Sequence, residues 1–383
     1  MTDTHAVDAP ASVVEPDAPA FHVDGVAYRW GHVFAHARRT GDWRIVEAEV
    51  RQAEACLRLA DEEGSPLPHG AERRFATAFR RARRLHAAED LEAWLEAREL
   101  TVAQWRRHIR GEALRHHHAA ELDTIVARTP ISDATIEAAL GPWGRCSGAF
   151  HRWAAQLATR AAAAHAVCER DDQPPPPPDD LVRLERLDDR FAAAVATRER
   201  LEALLAARYL DWLCLDTETS AFPDRDTAAE ALLCVRDDGW SLTEATQAGR
   251  GRLRRHRLFV EEADGDIRHH LVRARDGDLL GPLPLGGEPT LLRVLRKDAP
   301  SLEDDELRLR AHRHLVDAAA ARELDDRVAW LPPARTGEPE LTVLGEPGTQ
   351  GPASPLALRT TVDIVQWVTL VATVAFVVLL FVA

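Results

Sequence analysis

His108, Glu112 and His116 recur at every fourth position of one stretch, with His117 and His118 directly after them. That spacing stacks three potential metal ligands on one helix face. The stretch has no H-E-x-x-H pair and no downstream ligand set, and in a chain with 17 histidines it reads as a solvated polar face. No metal and no other cofactor is expected. His256, His269, His270 and His312 read as surface residues. Cys146, in Trp143-Gly-Arg-Cys-Ser-Gly148, lacks a histidine and an acid in a supporting motif, so a small buried or capping residue is expected rather than a nucleophile. The five cysteines, Cys56, Cys146, Cys168, Cys214 and Cys234, form no C-x-x-C pair. This argues against a disulfide framework or zinc knuckle and for a reducing compartment. Gly-rich phosphate loops, a G-x-S-x-G elbow and paired catalytic carboxylates are absent from the sequence.

Charge narrows the partners. Lys plus Arg number 48 against 62 Asp plus Glu, a net charge of −14, the opposite of what a phosphate-binding chain requires. Nucleic acid is not expected as a partner. Lys297 is the only lysine, so arginine-rich faces carry little information. The runs Arg80 to Arg84 and Arg252 to Arg257 read as solvated faces, with attraction of an acidic leader peptide as the alternative.

The elements that must position these residues are mostly helical. Phe21 to Trp30 reads as two short extended pieces around Asp24-Gly25, a strong hairpin signal. Thr101 and Gln104 form a capping box ahead of Val102, Trp105 and Ile109. Ser132 caps a helix through Leu140 that Gly141-Pro142 should stop. Trp94, Trp105, Trp143 and Trp153 read as core anchors. Five consecutive prolines, Pro174 to Pro178, form a stiff spacer and mark a module boundary. Beyond them an apolar helical period runs from Leu184 to Leu205, and from Tyr209 a strand places Leu210, Trp212, Cys214 and Asp216 on one face. Thr227 and Ser241 cap two helices. Arg252 to Leu258 forms a short basic strand, Val260 to Arg273 a third helix, Leu280 to Pro284 and Thr290 to Lys297 two strands, and Ser301 to Leu324 a long charged helix. Ile364 to Ala383 carries no charge and at 1.5 Å per residue spans about 30 Å, a hydrocarbon core. A single-pass C-terminal anchor is expected, with Arg359 before it leaving the soluble part cytoplasmic.

A strand, two helices, a short strand, a third helix and then Gly277-Asp-Leu-Leu-Gly-Pro282 with Leu291-Leu-Arg-Val294 resembles parvulin-type (PpiC) peptidyl-prolyl isomerase domains over residues 209 to 299. The hairpin, the helical part after it and the closing helix resemble SurA-like chaperones. The stretch Phe79 to Arg115 together with the parvulin-like half is similar to PpiC-related proteins assigned to peptide maturation systems. Together with the apolar C-terminal run, the resemblance implies an α+β fold: a mainly helical SurA-like N-terminal module, a parvulin-like four-stranded antiparallel sheet with flanking helices, and one C-terminal transmembrane helix. It divides the chain into a disordered lead (1–20), the helical module (21–170), a Pro-rich linker (171–180), a connecting helix (181–208), the parvulin-like domain (209–299), a closing helix (300–330), a Pro/Gly-rich tether (331–360) and the membrane helix (361–383).

Active parvulins pair a first-strand histidine with a last-strand histidine, over a cysteine or aspartate. In the register set by Gly281-Pro282 and Val294 the last-strand histidine falls on Thr290 and the first-strand one on or beside Trp212; neither is retained. Cys214 and Asp216 lie on the right strand out of register. X-Pro isomerisation faces a barrier of about 18–20 kcal/mol, lowered by stabilising a twisted amide in a polar pocket, and the loss of both imidazoles implies weak isomerase activity or none. The expectation is a membrane-tethered, peptide-binding, chaperone-like protein that assists maturation or export of a precursor peptide, with a maturation enzyme or exporter as partner and Trp212, Phe222, Leu283, Thr290 and Leu292 contacting the peptide. The alternatives are an active isomerase with a rearranged pocket built from Cys214, Asp216 and Thr290, or a non-enzymatic membrane adaptor.

Overall fold

A computed structural model describes residues 15–331 of the chain. It starts with Pro19–Val23 (β1) and Val26–Arg29 (β2), paired antiparallel. Asp24 and Gly25 at the turn both have positive φ, 47° and 82°, as a two-residue hairpin turn that follows strand twist requires. Phe21 and Tyr28 are wholly buried and stack with centroids 5.0 Å apart.

Helices follow: Trp30–Thr40 (α1), Asp42–Glu63 (α2), Ala71–Ala82 (α3), Ala88–Glu96 (α4), Val102–His117 (α5), Leu122–Arg128 (α6), Asp133–Ser147 (α7) and Ala149–Arg170 (α8). Thr101 and Gln104 cap α5 reciprocally. The expected stop of α7 at Gly141-Pro142 is corrected: the helix runs on to Ser147 with Pro142 inside it. Proline removes one backbone donor and crowds the preceding turn, but Trp143, Arg145 and Cys146 beyond it are buried, and that packing carries the helix past the defect. Gly144 is needed there, because a Cβ would lie 2.2 Å from the Phe150 ring.

Next come Leu181–Val195 (α9), Arg198–Ala207 (α10), Cys214–Ala221 (β3), Arg225–Arg236 (α11), Leu242–Ala248 (α12), Arg252–Phe259 (β4), a 3-10 turn over Val260–Glu262, Gly265–Arg273 (α13), Leu279–Leu285 (β5), Glu288–Asp298 (β6), Asp305–Arg327 (α14) and Val328–Trp330 (β7). Three local expectations change, the first being that the helix expected over Val260 to Arg273 divides into the 3-10 turn and α13, with Ala263 extended between them. The first strand begins at Cys214, since Trp212 N still donates to Arg208 O in the turn that ends α10. Asp224, not Thr227, caps α11 by accepting from Thr227 N.

One sheet has the order β2-β1-β7 and the other β4-β3-β6-β5, all pairs antiparallel. Helix α8 is the spine of the larger core: Ala161 to Ala164 are wholly buried, and their small side chains let neighbours approach closely. Leu184, Leu187 and Phe191 of α9, and Ala320 and Leu324 of α14, join this core with β1, α1 and α7.

The expected fold is corrected. The chain is mixed α+β with two small antiparallel sheets, not a helical N-terminal module followed by one sheet. The helical core is not N-terminal, because β7 pairs with β1 and both α9 and α14 bury in it. A three-residue strand whose partner lies some 300 positions away leaves no local pattern to read. Among the described residues no helix is long and apolar enough to cross a membrane; the membrane helix expected over 361–383 lies outside them.

Candidate functional site

Period-two alternation in β3 puts Leu215, Thr217, Thr219 and Ala221 on one face of the four-stranded sheet. Across from them stand Leu258, His256, Arg254 and Arg252 of β4, and Val294, Leu292 and Thr290 of β6. In β5, Leu280 pairs with Leu292 and Leu283 with Thr290. Helix α13 covers one end of this face, where Ile267 and Leu271 pack with Leu215 and Val294. At the other end Ala221, Leu280 and Leu283 are half-buried and Arg252, Arg254 and His256 exposed, over a buried floor of Thr217, Thr219, Thr290 and Leu292.

Gly281-Pro282 shapes the β5 side. The register of β5 shifts between Leu280 and Leu283, and Gly281 has φ +132° with a would-be Cβ 2.8 Å from Thr290 O. Only glycine fits that conformation and that approach.

The floor is polar but already partnered. Thr217 Oγ1 donates to His256 O at 2.9 Å, Thr219 Oγ1 lies 3.5 Å from both Arg254 O and His256 Nδ1, and Thr290 Oγ1 donates to Glu288 O at 3.0 Å. Each hydroxyl oxygen keeps acceptor capacity. What the face leaves open is its rim, where Leu280 and Leu283 can bury apolar side chains and Arg254 and His256 can meet polar groups over the buried hydroxyls; it assembles no nucleophile beside a base.

The sequence-derived site residues separate onto two faces. Leu283, Thr290 and Leu292 share the half-open face. Trp212 precedes β3 and is buried against Leu201, Leu205, Phe259 and Leu307, its Nε1 donating to Glu261 at 2.9 Å. Phe222 packs under α11 and α12 with Leu242 and Leu291. Cys214 lies with Trp212 in the α10 and α14 cluster, where burial pushes its thiol up and the Arg257 guanidinium that donates to it partly offsets this. Asp216 pairs with Arg296 at 3.1 Å. Cys214 and Asp216 project from the face opposite Thr290, so the three do not line one pocket. Sequence reasoning missed Thr217, Thr219 and the floor-side role of His256; the Thr-x-Thr alternation after Asp216 was the available signal.

In the helical part, His108 is buried against the Trp143 ring at 4.4 Å, Glu112 binds Arg115 at 2.6 Å, and His116 is exposed beside Phe75. Among the described residues no group of His, Cys, Asp and Glu could hold a metal ion. Cys146 is wholly buried and burial pushes its thiol up to about 12, which leaves almost no thiolate at neutral pH.

Fold and site together describe a helical body carrying a small sheet with one half-covered face. Compared with known proteins, the chain matches no family model and no curated protein.

Proposed function

We propose that this protein binds extended polypeptide on the half-open face of the β4-β3-β6-β5 sheet, acting as a chaperone-like holder of a precursor peptide for maturation or export, with weak prolyl isomerase activity or none. The observation that carries the reading is the juxtaposition of the Thr217, Thr219 and Thr290 hydroxyls with aliphatic Leu280 and Leu283 on one side and cationic Arg254 on the other. The strand, helix, helix, strand, helix, strand, strand order of residues 214–298 supports the resemblance to parvulin-type domains.

β4 is an edge strand, and a segment laid beside it would gain backbone hydrogen bonds while alternate side chains reach the face. Each apolar side chain buried contributes on the order of 1.5–3 kcal/mol, reduced by the cost of ordering both partners, so binding is weak and broad in sequence. Isomerisation is disfavoured because Cys214 and Asp216 face away from Thr290, and His256 is the one imidazole on the face among the described residues.

A photo-crosslinking residue placed at Leu283 in the full chain should label extended apolar peptides, and one at Leu233, exposed on α11, should not. Equal labelling at the two positions, or X-Pro turnover as fast as an ordinary parvulin, overturns the reading.

A further inference from the structure

Arginines in this chain are commonly neutralised by acids. Arg107 pairs with Glu54, Arg310 with Glu261 and Glu262, and Arg327 with Asp24, Glu169 and Glu323. The corner formed by α3, α4 and the α7–α8 junction breaks that pattern. Arg83 stacks on Phe79 with its guanidinium carbon 3.8 Å from the ring centre, and Arg98 stacks on Trp94 at 4.1 Å. Arg83 donates to Cys146 O at 2.9 Å, Arg98 to Trp94 O at 3.3 Å and Arg152 to Ser147 O at 2.8 Å. These are backbone carbonyls, and among the described residues no carboxylate pairs with Arg83 or Arg98, whereas the Glu49 and Asp42 carboxylates act on Arg152 from the α2 side without closing an ion pair. Arg145 meets Glu99 at 3.6 Å, on the exposed rim.

Unpartnered polar atoms extend inward. Trp105 Nε1 and His108 Nδ1 are buried without a hydrogen-bond partner, in contact with the Phe79 ring that carries Arg83. Arg98 is buried, Arg83 half-buried and Arg152 exposed, so the cluster grades from a closed floor to an open mouth. Burial, with mutual repulsion acting in the same direction, pushes Arg83 and Arg98 down to about 10. Stacked guanidiniums have their apolar faces covered and their edges preset to grip an oxyanion in bidentate fashion. In a chain of net charge −14 the adjacent, partly buried Arg83 and Arg98, which no carboxylate offsets, are costly unless something anionic meets them.

We infer that the Arg83, Arg98 and Arg152 corner is a binding site for a peptide carboxylate, taking an aspartate or glutamate side chain of an acidic segment between the stacked guanidiniums. The site lies in the helical part and does not depend on peptide binding at the sheet face.

The test is titration of the full chain with hexaglutamate, read by calorimetry and by tryptophan emission, since Trp94 lies beneath the site. Saturable binding is expected. Arg83→Gln should weaken it by about tenfold, as for loss of a charge-assisted bidentate contact, and Arg152→Gln by about threefold for a mouth charge. Because Arg83 also bonds Cys146 O, thermal unfolding checks that its variant is folded; if it is not, exposed Arg152 carries the test. Absence of saturable binding, affinity unmoved in the folded variants, or displacement by inorganic phosphate at equal concentration overturns the assignment.

Discussion

Arg327 Nη1 donates to Asp24 Oδ2 at 2.9 Å across 303 positions of sequence. The same oxygen lies 3.1 Å from His165 Nδ1, and the other ring nitrogen of His165 is 3.5 Å from the Tyr28 hydroxyl. One carboxylate at the tip of the first hairpin thus fastens the end of α14 and the C-terminal part of α8. His165 is buried, so Asp24→Ala leaves an unpaired imidazole nitrogen. The substitution should cost about 1–3 kcal/mol, whereas Asp24→Asn, which still offers an acceptor, should cost less. Chemical denaturation of the two variants measures the difference, and equal midpoints would show that the hairpin is held by packing alone.

Acid should weaken the fold through its buried histidines. Burial pushes His36 down to about 4, His151 to about 4 and His108 to about 3. For a base whose folded value is depressed, the unfolded chain binds the proton first, so stability is full above the unfolded value near 6.5 and falls as pH drops toward the folded one. Each imidazole contributes a slope of about 1.4 kcal/mol per pH unit in that window. Glu49 and Asp188, raised by burial, act in the opposite sense. The comparison between wild type and His108→Gln isolates one group: the variant should show a shallower loss of stability from pH 6.5 to 5, and parallel curves would contradict the assignment.

The single lysine holds a helix end. Lys297 Nζ donates to Leu271 O at 3.1 Å, Val272 O at 2.5 Å and Ala274 O at 3.0 Å, satisfying carbonyls that the C-terminal turn of α13 leaves open. Lys297→Met should speed amide exchange across 265–273 and destabilise the protein by about 1–3 kcal/mol. An amine-reactive reagent should modify Lys297 in the native protein much more slowly than after unfolding, and equal rates would show that the cap does not persist in solution.

Gly144 and Phe150 share a space with no room for a methyl group. Gly144→Ala should destabilise by about 1–3 kcal/mol through overpacking, although alanine favours helix, and Phe150→Leu should relieve part of the clash in the double variant. Additive effects in the denaturation cycle would count against a direct steric origin.

Cys214→Ser tests the separation of the site residues. If Cys214 faces away from Thr290, the substitution should leave crosslinking at Leu283 and any residual X-Pro isomerisation unchanged within about twofold, as expected for sites without a shared partner. A larger loss of either would place the thiol in the functional pocket.

Short-range signals were legible wherever a few adjacent residues decide the outcome. The Asp24-Gly25 turn and the capping boxes at Thr101 and Ser241 each depend on backbone torsions and hydrogen bonds among near neighbours. The helix through Pro142 was not legible, because packing of Trp143 and Cys146 outweighs a local breaker. Leu283, Thr290 and Leu292, which the resemblance implied together with Trp212 and Phe222, share one face of the sheet through the pairing of β5 with β6. Trp212 is not on it, because its position depends on where α10 ends and β3 begins.

The sequence by itself determined the local turns, caps and apolar periods, since these are set by steric and hydrogen-bonding preferences spanning a few residues. Only the tertiary structure decided that β7 closes the sheet begun by β1, that Cys214 and Thr290 lie on opposite faces, and that Arg83, Arg98 and Arg152 gather at one corner. Each of those follows from contacts between segments far apart in the chain, whose free energy comes from mutual burial and leaves no pattern in either segment alone.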